Sequence, residues 1–297
     1  MRLSLLAVAL AAASCVPLAQ AVDGERPTLA GDAAAARVTF ELPYDLAVAR
    51  DGSIFFPDRA RILALRPSTG RVRIHRRVQG ATELVGLARL DNGTLFASDL
   101  PSGRLLRIPR TGPVETVATV PMPVDLLVDP SGSTLWVASI AEGVGLVRVD
   151  VASGRVEPFA AVRQPHGLAR TADGAFVVHD GHAVSTVDGD TGAVTPLASV
   201  DAFELVVASN GVVYGATGSP RGGGVVRISP SGRVVRVAGT GRLGPHRDGK
   251  ALRAPMLPSA LAIARDGSLL VAQIDPVPAI RRINLSAGTI VTLARGR

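Results

Sequence analysis

The sequence predicts an all-β chain, a six-bladed β-propeller of four-stranded antiparallel blades, and three observations lead there. The first is a turn dipeptide that recurs as Asp51-Gly52, Asn92-Gly93, Ser131-Gly132, Asp173-Gly174, Asn210-Gly211 and Asp266-Gly267, with glycine-to-glycine steps of 41, 39, 42, 37 and 56 residues. Dipeptides of this kind supply the positive φ that a tight hairpin demands. The second is another turn about twenty residues on in each unit: Thr69-Gly70, Thr111-Gly112, Ser153-Gly154, Thr191-Gly192, Ser231-Gly232 and Ala287-Gly288. The third is a pair of short apolar runs flanking each first turn, such as 46–48 with 54–56, 126–128 with 135–137 and 261–263 with 269–271. Four short strands per unit of about forty residues, repeated six times, describe the blades of a propeller.

Each element has its own reason. The runs beside the first turns are almost wholly apolar, as expected of strands covered on both faces. The runs after the second turns, such as 71–75 and 233–237, alternate polar with apolar and predict half-exposed outer strands. Residues 37–42 alternate in the same way and predict a short leading strand, so the propeller is expected over 37–297. The one long step holds an insertion at 238–258, rich in Gly, Arg and Pro, between the last strand of blade five and the first of blade six.

Ahead of the propeller, Arg2, an apolar run at 3–13 and the small-x-small end Ala19-Gln20-Ala21 predict a secretory signal peptide at 1–21. The polar, aperiodic 22–36 predicts a flexible lead-in. The protein is therefore expected to be exported, periplasmic or secreted. Cys15 is the only cysteine, and Ala12-Ala13-Ser14-Cys15 resembles a lipoprotein cleavage box, so a lipid anchor at Cys15 is the alternative to a soluble form. No stretch after residue 22 is long and apolar enough for a membrane helix.

Composition bounds the partners. Apolar residues make up 47% of the chain but aromatics only 3%, so Val, Leu, Ile and Ala must build the core. The formal charge is +7, yet the basic residues are spread over every repeat and Lys250 is the only lysine. Without a basic stripe or an aromatic stacking surface, no nucleic-acid partner is expected. Phosphate-binding loops, dinucleotide fingerprints and a Gly-x-Ser-x-Gly elbow are absent from the sequence.

In an up-down-up-down blade, the first strand starts and the second strand ends at one rim, while both glycine turns lie at the other. That first rim receives Tyr44, Asp58, Asp99, Val124, His166, His179, Asp180, His182 and Phe203, and the insertion is expected there too. Asp45, Asp125 and Glu204 fall in one alignment column in blades one, three and five, and Gly86, Gly167 and Ala260 fill it in blades two, four and six. Alternating acids around a narrow axis, with His166 beside them, could hold a divalent cation such as Ca²⁺ or a cationic ligand. The same acids could instead bond the backbone amides of neighbouring blades. His179-Asp180-Gly181-His182 could serve metal or acid–base work, which makes His166 and His179 the catalytic candidates. Alternatively, Asp180 repeats the structural role expected of Asp58 and Asp99. His75 and His246 are expected at the surface.

Two resemblances rest on particular residues. Ala238-Gly239-Thr240-Gly241, Asp248-Gly249, Ala254-Pro255-Met256-Leu257-Pro258, Asp266-Gly267 and Ile280-Arg281-Arg282-Ile283 together look like an NHL repeat. Glu41-Leu42-Pro43 followed by Ile54-Phe55-Phe56-Pro57-Asp58 resembles the opening of the gluconolactonase/senescence-marker superfamily, and the likeness runs over about 40–297. It implies a six-bladed propeller and a divalent-metal lactonase or related hydrolase, with an early Glu, an Asn after Pro and an Asp in Pro-Asp-Gly as ligands. Glu41 matches the first, but Val124 and His166 stand where the other two belong. The chain is also similar to streptogramin-lyase-like propellers, which use His and Glu. The expected function is a binding or scaffold module that meets a protein or small-molecule ligand at the channel-mouth rim. The alternative is a divergent metal-dependent hydrolase or lyase whose cation is held by some of Glu41, Asp45, Asp125, His166 and Glu204.

Overall fold

Short apolar strands joined by glycine turns can satisfy their backbone only by pairing, and here they pair in sequence order. In a computed structural model, which describes residues 38–180, 182–275 and 277–296, they form six separate antiparallel sheets. The first strands are Ala47–Val48, Leu84–Arg89, Pro123–Val128, Leu168–Arg170, Glu204–Val207 and Leu257–Ile263, one per blade. Each touches the first strand of the next blade and the sixth touches the first, so the ring closes. The signal peptide at 1–21 with Cys15 and the lead-in at 22–36 lie outside the described residues.

The turns are built as their residues demand. In blade one the Gly52 N–H donates to the Ala49 carbonyl at 3.0 Å and the Ala49 N–H to the Ser53 carbonyl at 2.8 Å, with Gly52 at φ 81°. This is the type I turn closed by a left-handed residue, a conformation that needs no Cβ. All the turn glycines named from the sequence carry positive φ.

The core is divided. Six hydrophobic clusters occupy the six gaps between blades, for example Leu126, Leu135 and Val137 of blade three against Phe96 and Leu105 of blade two. Burying Val, Leu and Ile between flat sheets contributes about 1.5–3 kcal/mol per side chain, and distributes the stability around the ring.

Two expectations are corrected. The described part of the leading strand, 38–42, forms no strand, because Asp58 captures it instead. Its Oδ1 accepts the Glu41 and Leu42 amides, both at 3.0 Å, and Arg61 ties Thr39 through its carbonyl at 2.7 Å. The segment thereby delivers the fully buried Phe40 into the gap between blades six and one, edge-on to Phe56. Among the described residues no strand is exchanged across this seam. Ser259 Oγ donates to the Pro43 carbonyl at 2.7 Å, and Arg265 donates to that of Arg50 at 2.9 Å.

The insertion also differs from expectation. It stays at the first-strand rim through Leu243, where Gly241 and Leu243 donate to the Gly223 and Arg221 carbonyls at 3.1 and 2.7 Å, and then adds a fifth strand, Gly249–Lys250, beside Thr289–Arg295. There Ala251 donates to the carbonyl of Gly288, at the opposite rim, before the chain returns to Leu257. Its Ala251, Ala254 and Met256 are buried between blades five and six. The insertion thus begins and ends at the expected rim, and its middle forms part of the wall of blade six.

Candidate functional site

The first strands enclose a channel of about 430 Å³, lined by Asp45, Asp125 and Glu204 among apolar residues, with Arg89 and Arg170 toward the turn-bearing rim. The alternation of acids with small residues has a geometric cause. Asp45 accepts its own neighbour's amide, Leu46 N–H at 2.6 Å, and reaches blade two to accept Leu87 N–H at 2.5 Å. Asp125 does the same with Leu126 at 2.7 Å and with Leu168 of blade four at 2.7 Å. The intervening small residue lets the next blade come close: a Cβ on Gly167 would stand 2.9 Å from the Glu204 Cα, and one on Gly86 3.1 Å from the Asp125 Cα. Blades one and three thus reach forward, and the glycines of blades two and four make room.

Burial governs the charge of these acids. It pushes Asp45 up to about 7 against the pull of its two amides. Asp125 and Glu204 are also held well above the usual carboxylate range, by burial first and then by the neighbouring carboxylates. Desolvation disfavours the ionised form, and like charges add to it.

At the first-strand rim a second group gathers. His166 follows Pro165 at the entry to blade four and exchanges backbone bonds with the end of the second strand, donating to the His179 carbonyl at 3.0 Å. The two imidazoles meet edge-on at 6.0 Å between centroids. His166 is 7% exposed, and although the Gln164 backbone lies near, neither ring nitrogen makes a well-formed hydrogen bond within the protein. His179 Nε2 lies 3.4 Å from the Asp201 carboxylate, which is 60% exposed. Burial, then the neighbouring His166, lowers His179 to about 4, while burial raises Asp201. Both partners shift toward their neutral forms, so desolvation outweighs their attraction.

Across blades one and two, the Tyr44 hydroxyl lies against the Glu83 carboxylate, whose Oε1 is buried without a well-formed bond. Burial, and then Glu83, pushes the Tyr44 phenol up, and burial raises Glu83. The backbone is strained at this rim as well. Among the described residues Arg59, Met122 and Gln164 are the non-glycine positions with positive φ, at 57°, 44° and 47°. Arg59 follows the second strand of blade one, and the other two precede the prolines that open blades three and four. Such residues cost of order 1–3 kcal/mol each and persist where the surroundings enforce them.

The structure brings together some of the expected site residues and separates others. Asp45, Asp125 and Glu204 share the channel, and His166 and His179 share the rim above blade four. Glu41 is exposed and pairs with Arg59 at 2.6 Å. Among the described residues, no group of three or more His, Cys, Asp or Glu side chains is placed to hold a metal ion. Both oxygens of Asp45 and of Asp125 accept amides, while Glu41 pairs with Arg59 and His166 lies at the rim, apart from the channel acids. Asp180 accepts the His182 and Ala183 amides at 3.0 and 2.9 Å, a local turn, whereas Asp99, like Asp58, binds the incoming chain through Thr82 and Glu83. His75 and His246 are half-buried: one packs edge-on to Phe55, and the other lies 2.5 Å from Gln273.

Sequence reasoning missed Glu83, Asp201, Gln273 and Arg281. Glu83 and Asp201 sit just ahead of the first strands of blades two and five, a position that the repeat alignment could have flagged.

No family model and no curated protein matches the chain. Solved structures do. A gluconolactonase from Xanthomonas campestris aligns with a TM-score of 0.61 at 14% identity, over 93% of this chain and 97% of its own. A catalytically inactive histidine-to-alanine variant of virginiamycin B lyase from Staphylococcus aureus, solved with quinupristin, aligns at 0.62 and 14%, over 87% of this chain and 85% of its own. What they share with this chain is the propeller fold. A chain of a nidogen/laminin complex shares it too, at 0.57 and 15%, over 64% of this chain and 77% of its own. At such identities the likeness establishes the fold, and a gluconolactonase, a lyase and a nidogen/laminin complex on one scaffold show how little the scaffold says of chemistry.

Proposed function

We propose that this propeller is a binding module that takes a small polar ligand at the first-strand rim, between His166–His179–Asp201 on one side of the mouth and Tyr44–Glu83 on the other. One observation carries the reading: His166 is buried at the rim, and neither ring nitrogen makes a well-formed hydrogen bond within the protein. Buried polar atoms are nearly always bonded, and leaving one unpaired costs about 1–3 kcal/mol. A ligand hydroxyl or carbonyl would recover that energy. The test is a thermal-shift screen of polar small molecules against wild type and His166→Leu. Compounds that stabilise only the wild type support the proposal; identical responses, or none in either protein, contradict it.

The His179–Asp201 contact favours a second reading, in which the same mouth hydrolyses or eliminates. A neutral imidazole oriented by a carboxylate is a general base of the usual kind. Turnover of lactones or esters that is lost in His179→Ala and in Asp201→Asn would support it. Metal analysis of the purified protein, with chelator added to the same assay, decides whether a divalent cation takes part. Export rests on the pattern at 1–21, and processing of the N-terminus tests it.

A further inference from the structure

Arg281 lies on the third strand of blade six, Ala279–Asn284, opposite Val271, where the corresponding residues of the other blades are Leu63, Leu106, Val147, Ser185 and Val226. Its side chain is 0% exposed. A guanidinium has five N–H donors, and a buried one needs them all matched and its charge neutralised. Here a single bond is well formed, to the Arg247 carbonyl at 2.6 Å. The contacts to the Pro255 carbonyl and to Gln273 Oε1 are both 3.4 Å, and Nε has no protein partner. Among the described residues the carboxylate in reach is Asp248, 3.5 Å away and 47% exposed, which also accepts Thr292 Oγ1 at 2.7 Å.

The surroundings add positive charge. Arg295 lies close enough to disfavour the charged forms of both Arg281 and His246. Gln273 Nε2 sits 2.5 Å from His246 Nε2, so the imidazole accepts there and is neutral, as an assignment from the hydrogen-bond network. The group is covered by residues 244–248, a short stretch between Gly244 and Gly249, the latter at φ 116°.

We propose that Arg281, with Gln273 and His246, forms an oxyanion-binding site on blade six, which the Asp248 carboxylate covers as an internal stand-in. Guanidinium and amide groups bind carboxylates and phosphates through the same paired N–H···O geometry, so the ligand class is a small carboxylate or phosphate. An incoming oxyanion displaces Asp248 into solvent, where the side chain already half resides, and takes the Nε and terminal N–H donors that the protein leaves poorly matched. The site is independent of the His166 mouth.

Calorimetric titration of the full mature chain with inorganic phosphate and, separately, with malonate tests this at matched ionic strength. Asp248→Asn, which removes the competing charge, is expected to bind one of the two about tenfold more tightly than wild type. Tighter phosphate binding assigns a phosphoryl ligand and tighter malonate binding a carboxylate. Arg281→Gln is expected to abolish the heat. Should that variant fail to fold, Gln273→Leu in the Asp248→Asn background gives the second reading, an expected loss of at least fivefold. Equal affinities of wild type and Asp248→Asn, or binding by neither, overturn the proposal.

Discussion

Asp45 offers a sharp test of the channel, because two influences on its charge oppose each other. Two backbone amides favour the carboxylate, and full burial beside Asp125 and Glu204 disfavours it. With burial dominant, the folded-state pKa is about 7 against 3.8 for the free side chain. The folded protein then holds a proton that the unfolded chain releases, and stability falls as pH rises between those two values. At 1.36 kcal/mol per pKa unit, the Asp45 contribution lost by pH 8 is about 4 kcal/mol. The buried histidines act in the opposite sense: lowered pKa values make the unfolded chain the better proton acceptor below neutrality, so their share of stability grows as pH rises from 4 to 6.5. Comparing wild type with Asp45→Asn cancels that background. Denaturant unfolding of both at pH 4.5, 6 and 8 is expected to show the wild type losing about 3 kcal/mol relative to the variant across that range, the first 1 kcal/mol or so being lost below pH 4.5. A constant difference, or a wild type that gains with pH, would show that the amides win and refute the reasoning.

Further outcomes follow from the same packing. Gly167→Ala places a Cβ 2.9 Å from the Glu204 Cα and the Phe203 carbonyl, and should cost about 1–3 kcal/mol by overpacking; an unchanged melting curve would contradict the close approach of blades four and five. Phe40→Ala should cost about 3–5 kcal/mol by emptying the seam between blades six and one, and a loss under 1 kcal/mol would place that residue outside the core. The His179 ring should titrate near pH 4 by NMR, and a midpoint at 6.5 would mean that burial does not govern it. N-terminal analysis of exported protein should find a start at Val22, whereas a lipid-modified Cys15 would replace the soluble form with an anchored one.

Much of the fold was legible because glycine turns and strand periods are local signals. Gly52 and Gly70 are required by turn geometry alone, and the same logic repeated six times gives the ring. The described part of the expected leading strand, 38–42, failed for a non-local reason: Asp58, sixteen residues beyond Leu42, offers the Glu41 and Leu42 amides a carboxylate in place of a strand partner. The middle of the insertion was hidden on the same grounds, since only the fold reveals a free outer edge on blade six for Gly249–Lys250 to join. In the candidate site, the column of Asp45, Asp125 and Glu204 could be read from alignment, and both of its readings were open. The structure selects amide bonding for Asp45 and Asp125, which depends on inter-blade distances that no sequence pattern encodes. Arg281 was visible as a charge at an apolar position of an alternating strand, a signal whose meaning appears only with its missing partners.

The account turns on the mouth beside His166. Its most direct test is calorimetry with the compound that most stabilises the wild type, titrated into wild type, His166→Leu and Gln273→Leu. The account predicts that affinity collapses in His166→Leu and is kept in Gln273→Leu. Equal affinity in all three proteins would contradict it.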